Sequence, residues 1–135
     1  MGDKDVTLSV VDDDGSVRTA LKRLLKASGF NVKTFSCAED FLDSGLSRCP
    51  GLLILDVRMP GMSGLDLQRK LIEMDSRVPV IFITAHDDIQ AEARAMEAGA
   101  VAFLQKPFEE RNLIDAIHSA LGEPSNGVAV QPDRR

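Results

Sequence analysis

Residues 52–64 read LLILDVRMPGMSG. The aliphatic residues Leu52, Leu53, Ile54 and Leu55 run without a polar break into one carboxylate, Asp56, and a loop rich in Pro and Gly follows at once. A strand with one wet face alternates apolar and polar residues, whereas a run that is apolar at both parities is buried on both faces, as in a parallel sheet. In open α/β sheets, ligands and chemistry collect at the carboxyl ends of such strands. Asp56 is therefore the candidate reactive group, expected to be a phosphoryl acceptor.

Working towards the N-terminus, residues 6–11 (VTLSVV) form a β-rich run that ends in Asp12, Asp13 and Asp14. The period then changes, with Val17, Leu21, Leu24, Leu25 and Ser28 on one helical stripe and Gly29 as the stop. Residues 30–35 (FNVKTF) alternate as an edge strand does. Ser36 and Glu39 have capping-box spacing ahead of Phe41 and Leu42, which predicts a short helix ending near Gly45. Towards the C-terminus, Leu65, Leu67, Leu71, Ile72 and Met74 mark a third helix, and residues 78–84 (VPVIFIT) a second buried strand ending at Thr84. A helix over residues 87–98 follows, with Asp87 as candidate N-cap and Gly99 as its stop. Residues 100–105 (AVAFLQ) are the last strand, closed by Lys106 and Pro107. Leu113, Ile114, Ile117 and Leu121 make the last helical stripe. Strands alternating with helices predict an α/β, doubly wound five-stranded parallel sheet with five helices, in the order 2-1-3-4-5, with the crevice between the first and third strands.

A chain of 135 residues is one domain, large enough to bury roughly two-thirds of its unfolded surface. The domain is expected over residues 1–121. Residues 122–135, rich in Pro, Gly, Ser and Asn without periodicity, read as a flexible tail or the start of a linker. The net charge is −5 and no basic run occurs, so direct nucleic-acid binding by this chain is not expected. The opening MGDKDVTLS has no signal-peptide character, and no apolar run approaches about 20 residues, so the expectation is a cytoplasmic protein with no membrane association. Cys37 and Cys49 read as unpaired thiols of a reducing compartment, one at a helix start and one in a loop. With two histidines and no cysteine cluster, nothing suggests zinc.

The fold brings Asp12 and Asp13, Asp56, Thr84 and Lys106 to the carboxyl ends of neighbouring strands. Three carboxylates in one crevice repel one another unless a cation sits among them. Mg²⁺, a hard ion that keeps several waters and bridges to phosphate oxygens, is the natural choice. Lys106 adds a second positive charge, able to pair with Asp56 in the empty site and with a phosphoryl oxygen in the loaded one. Such charges offset the negative charge of a transferring phosphoryl group, the main catalytic task in that chemistry. Asp56 would be the nucleophile, forming an acyl phosphate, and Thr84 would donate a hydrogen bond to the product.

In order along the chain, VVDDDGSVR from Val10, LDVRMPGMSG from Leu55, VIFITAH from Val80, EAGAVAF from Glu97 and KPF from Lys106 cover essentially all of residues 6–121. As a set they resemble the response-regulator receiver domains of CheY-like type, and most of all the receivers of FixJ-like transcriptional regulators. That family is itself one from which the crevice rule for the 2-1-3-4-5 order is drawn. The resemblance implies a two-component phosphorelay domain, phosphorylated on Asp56 by a phosphohistidine of a sensor histidine kinase. It implies Asp13 and Asp56 as direct Mg²⁺ ligands, Asp12 acting through water, and the Arg58 carbonyl completing the set. It implies a cis peptide before Pro107 that aims Lys106 into the crevice. It also implies Thr84 and Phe103 as switch residues, and a face of the fourth helix, fifth strand and fifth helix for partner or phosphorylation-dependent homodimer contacts. Such a domain catalyses only its own phosphoryl transfer and dephosphorylation.

Other readings stand beside these. Phe103 is either the switch aromatic or a plain core aromatic; without a hydroxyl to hydrate, its ring is expected to rest inward. His86 and Arg58 are expected at the rim of the crevice, and His118 is expected as a helix residue near a C-terminus. The helix over 87–98 has few large anchors, mainly Ile89 and Met96, so it is expected to dock loosely. Asp12, Asp14, Gly15 and Ser16 also fit the opening of a haloacid-dehalogenase-type phosphatase, with Thr84, Lys106 and the Asp87/Asp88 pair as later residues. Against this, the acidic pair precedes the lysine, and the DVRMPGMSG loop would have no task. A protein-binding module without phosphorylation is a third option, opposed by the retention of a complete acidic set. No helix-turn-helix is seen after residue 121, which leaves a stand-alone receiver or the N-terminal piece of a longer regulator.

Overall fold

The computed structural model describes residues 6–85 and 88–122. His86, Asp87 and all but the first residue of the expected tail lie outside the described residues.

The strands are β1 (Thr7–Val11), β2 (Asn31–Phe35), β3 (Gly51–Asp56), β4 (Val80–Thr84) and β5 (Ala102–Gln105). They pair in parallel in the order β2-β1-β3-β4-β5, as expected. Between them lie α1 (Gly15–Ala27), α2 (Ala38–Ser44), α3 (Gly64–Glu73), α4 (Ile89–Glu97) and α5 (Glu110–Ala120). The two parities of β3 face opposite cores. Leu53 and Leu55 pack with Phe41 of α2, Leu67 and Leu71 of α3, and Ala91 and Ala95 of α4. Leu52 and Ile54 pack with Leu21 and Leu25 of α1, and Leu113 and Ile117 of α5. This two-sided burial is why the strand has no polar break, and it leaves the carboxyl end of β3 as the first place a polar group can sit. No helix among the described residues is long and apolar enough to cross a membrane.

Local expectations need correction at three helices. The Ser36–Glu39 capping box does not form. Cys37 occupies the N-cap of α2 without a side-chain cap bond, so Ser36 lies one residue too early. The box forms instead at α3, where Ser63 Oγ accepts from Asp66 N and the Asp66 carboxylate accepts from Ser63 N. On α3 the buried position is Gln68, not Ile72, which is 53% exposed. The Gln68 amide donates to the Ala95 carbonyl of α4 at 3.0 Å, which satisfies it inside the core.

Helix α4 starts at an N-cap Asp88, whose carboxylate accepts from Ala91 N at 3.0 Å. Its expected anchors point outward: Ile89 is 75% exposed and Met96 43%, while the buried residues are Ala91 and Ala95. Two methyl groups remove little apolar area from water, so α4 is held weakly by packing. At the other side of the crevice, Gly64 begins α3 against the backbone of Asp56. A Cβ there would lie 2.2 Å from the Asp56 carbonyl oxygen, so only glycine allows this approach.

Candidate functional site

Parallel register sets the site. Val11 pairs with Leu55 and Asp56 with Ile83, so the residue after β1 and the last residue of β3 emerge side by side at the carboxyl edge. Asp12 and Asp56 are buried and Asp13 is exposed. One oxygen from each of the three carboxylates lies within 4.8 Å of the others. That is a cluster of hard oxygen donors, one side open to solvent, suited to a divalent cation with several retained waters.

Each carboxylate is fixed differently. Asp12 is fully buried, and both of its oxygens are occupied: Oδ1 accepts from Asp14 N at 2.9 Å and Oδ2 from Lys106 Nζ at 3.3 Å. The lysine expected to pair with Asp56 therefore hydrogen-bonds Asp12 instead. The fully desolvated carboxylate has the greater need of a cation, whereas the Arg58 backbone N–H favours the charged form of Asp56. Asp56 is pushed up from 3.8 to about 7, first by burial and next by the Asp12 charge. Lys106 and the Arg58 N–H pull it down, and Asp13 adds to the rise. Without a further cation, much of the Asp56 population is neutral at pH 7.

Thr84 is fully buried at the end of β4, and its carbonyl accepts from Lys106 N at 2.7 Å, tying the lysine's backbone to the adjacent strand end. The Lys106–Pro107 peptide is cis. Phe103 on β5 is half-buried with its ring centroid 6.0 Å from that of Phe82. The ring lies inward, as a ring without a hydroxyl should. The Arg58 guanidinium pairs with Asp88 at the start of α4. Asp88 is held below the usual carboxylate range by the Ala91 N–H first and by Arg58 in addition. His118 lies on α5 with its ring centroid 5.5 Å from that of Phe30.

Asp14, the second acidic residue that a phosphatase reading needs, serves a local purpose. It caps α1, accepting from Ser16 N at 2.9 Å and Ser16 Oγ at 2.7 Å, and those bonds hold its carboxyl below the ordinary range. It is not part of the three-carboxylate cluster. One residue at the site went unnoticed in the sequence: Arg18, whose Nη1 donates to the Asp12 backbone carbonyl at 2.7 Å. Its six-residue separation from Asp12 crosses a strand end, a turn and a helix start, so no periodicity announces the contact.

The fold and crevice together define a class: a 2-1-3-4-5 parallel α/β domain with an acidic cluster and a lysine at the carboxyl edge. Residues 8–118 match the family model of the response regulator receiver domain, and the chain belongs to that family of two-component signalling domains. Similar proteins include the response regulator protein TmoT of Ectopseudomonas mendocina, 50% identical over 90% of this chain and 55% of its own length. The transcriptional regulatory protein FixJ of Rhizobium meliloti is 43% identical over 86% of this chain and 57% of its own length. The chain thus spans about half the length of these curated relatives. Among solved structures, the response regulator StyR is 52% identical with a TM-score of 0.82, covering 87% of this chain and 60% of that one. FixJ-N is 41% identical, also with a TM-score of 0.82, covering 93% of this chain and 98% of that one.

Proposed function

We propose that Asp56 accepts a phosphoryl group from a phosphohistidine of a sensor histidine kinase, and that Mg²⁺ is the cation the acidic cluster holds. Asp56 attacks as a carboxylate. One of its oxygens forms a bond to phosphorus while the phosphorus–nitrogen bond breaks, and the electron pair leaves on the imidazole, which takes up a proton. Bound Mg²⁺ would be held by Asp13 and Asp56, with Asp12 through water and the Arg58 carbonyl, and would neutralise charge on the phosphoryl oxygens. Lys106 supplies the second positive charge, and its tie to Asp12 must slacken for it to reach a phosphoryl oxygen. Thr84 donates to the aspartyl phosphate, and Phe103 and α4 respond.

The observation that carries this reading is the meeting of Asp12, Asp13 and Asp56 within 4.8 Å, with Lys106 on the buried Asp12. The domain turns over no separate substrate, only its own phosphorylation and dephosphorylation. In this reading residues 1–121 form the receiver, and residues 122–135 are assigned as a tail or the start of a linker. The α4–β5–α5 face, with Ile89, Met96 and Val101 exposed, serves phosphorylation-dependent self-association in the cytoplasm.

The test is incubation with Mg²⁺ and a small acyl phosphate, followed by intact mass. A phosphoryl adduct that Asp56→Asn abolishes and Asp14→Asn tolerates supports the assignment. An adduct that needs Asp14 and survives Asp56→Asn would support the phosphatase chemistry in its place.

A further inference from the structure

Arg18 donates from Nη1 to the backbone carbonyl of Asp12 at 2.7 Å. That carbonyl belongs to the peptide unit joining Asp12 to Asp13. Because the unit is planar, fixing the direction of its C=O also fixes the N–Cα bond of Asp13. Asp12 has other anchors, since its N–H donates to the Phe35 carbonyl at 3.2 Å and its carboxylate is held by Asp14 N and Lys106. Asp13 is exposed, so its carboxylate takes its aim from the backbone more than from surrounding side chains. The guanidinium reaches this carbonyl by folding back over Gly15. A Cβ on Gly15 would lie 3.3 Å from Arg18 Nη2 and 3.9 Å from Cζ. Gly15 has no positive φ, so its lack of a side chain matters here for space.

We propose that Arg18 is a positioning residue of the cation site: it holds the Asp12–Asp13 peptide so that Asp13 points at the cluster, and Gly15 leaves room for it to do so. This rests on the reading that the cluster binds Mg²⁺. Arg18 makes no bond to a carboxylate of the cluster and acts through the main chain.

The sign of one measurement separates this role from a simple charge effect. A guanidinium near an anionic site repels a divalent cation, so if charge were all that mattered, its removal would tighten Mg²⁺ binding. If Arg18 positions Asp13, its removal weakens binding. We would measure Mg²⁺ affinity by titration calorimetry on the full chain, with melting temperature in chelator as a check of folding. Arg18→Ala is expected to weaken Mg²⁺ binding about tenfold, the usual effect of losing a residue that orients a ligand. Arg18→Lys, which keeps the charge and one donor in reach, is expected to stay within about threefold of wild type. Gly15→Ala favours the helix yet crowds the guanidinium, so it should weaken Mg²⁺ binding about twofold without lowering the melting temperature. This variant decides the matter if Arg18→Ala does not fold. Unchanged or tighter Mg²⁺ binding in Arg18→Ala, or in Gly15→Ala if the former is unfolded, overturns the proposal. A wild-type chain that binds no Mg²⁺ overturns the cation reading on which it rests.

Discussion

In the absence of divalent cations, Asp56→Asn should stabilise the domain at neutral pH, and the gain should vanish in acid. Asp56 is raised from 3.8 to about 7 by burial and by the neighbouring Asp12 charge, so the folded state favours the protonated carboxyl. Stability from this group is full below pH 3.8 and is lost as pH rises through about 7. At about 1.4 kcal/mol per pH unit, the whole span is about 4 kcal/mol, and the part falling between pH 5 and pH 8 is on the order of 2–3 kcal/mol. Asparagine does not ionise and lacks that slope. Asp14, Asp66 and Asp88 are shifted the opposite way, so their contributions are lost only as pH falls below the usual carboxylate range and do not enter this window. Urea denaturation of both proteins in chelator at pH 5, 6.5 and 8 isolates the Asp56 contribution as the difference between them. Wild type should lose on the order of 2–3 kcal/mol relative to the variant across that range. Saturating Mg²⁺, at about 100 times its dissociation constant, should return about 2.7 kcal/mol to wild type and much less to the variant. A wild-type-minus-variant difference that stays flat from pH 5 to pH 8 would refute the reasoning.

Lys106→Ala should tighten Mg²⁺ binding, because it removes a competing cation from Asp12, yet slow phosphorylation by a small acyl phosphate about 100-fold; an intact-mass time course reads the second effect and calorimetry the first. Gly64→Ala places a methyl against the Asp56 carbonyl and should cost about 1–3 kcal/mol in urea denaturation while abolishing adduct formation. Gln68→Leu removes the bond to the Ala95 carbonyl. It should cost about 1 kcal/mol, with faster amide hydrogen exchange concentrated on α4 and little change on α5. Ile89→Ser, at a side chain that is 75% exposed, should change stability by less than about 0.5 kcal/mol while weakening self-association of the phosphorylated domain in sedimentation experiments.

The sheet was legible in the sequence because its signal is redundant. Leu52 to Leu55 are apolar at both parities, and two helical layers cover the two faces they present. Helix faces were less legible, since a stripe of apolar residues assumes that polar residues point to water. Gln68 breaks that assumption by finding a carbonyl on a neighbouring helix, and Ile72 is displaced to the surface. The capping box at α2 failed for a similar reason: Ser-x-x-Glu spacing is necessary for the motif, but the chain begins its helix one residue later. At the site, Asp12, Asp13, Asp56, Thr84 and Lys106 could be placed because each sits at a strand's carboxyl end, a position that topology alone fixes. The partner of Lys106 could not, because it depends on which carboxylate is the more completely desolvated. Arg18 could not either, because its contact is with a main-chain atom, and no residue type advertises that.

Helix α4 is where these threads meet. Moving a two-state population from 1:99 to 99:1 takes about 5.5 kcal/mol of differential interaction. A charge-assisted hydrogen bond from Thr84 to a phosphoryl oxygen contributes about 1.5–3 kcal/mol, which falls short alone. The shortfall narrows if the moving element is weakly held to begin with. α4 buries two alanines, borrows one hydrogen bond from Gln68, and is tied at its start by the exposed Arg58–Asp88 pair, a type of bond worth about 0–1 kcal/mol. An open groove of about 510 Å³ between the loop after β3 and α4, lined by Val57, Met59, Leu65 and Ala91 among others, leaves that side of the helix without close packing. Arg58 also touches both events: its backbone N–H favours charge on Asp56 and its guanidinium holds the N-cap of α4. If Asp56 is phosphorylated as proposed, Arg58 is one physical link from that event to α4. On the proposed switch, what these routes do not supply would come from association of the exposed face, so activation should depend on protein concentration.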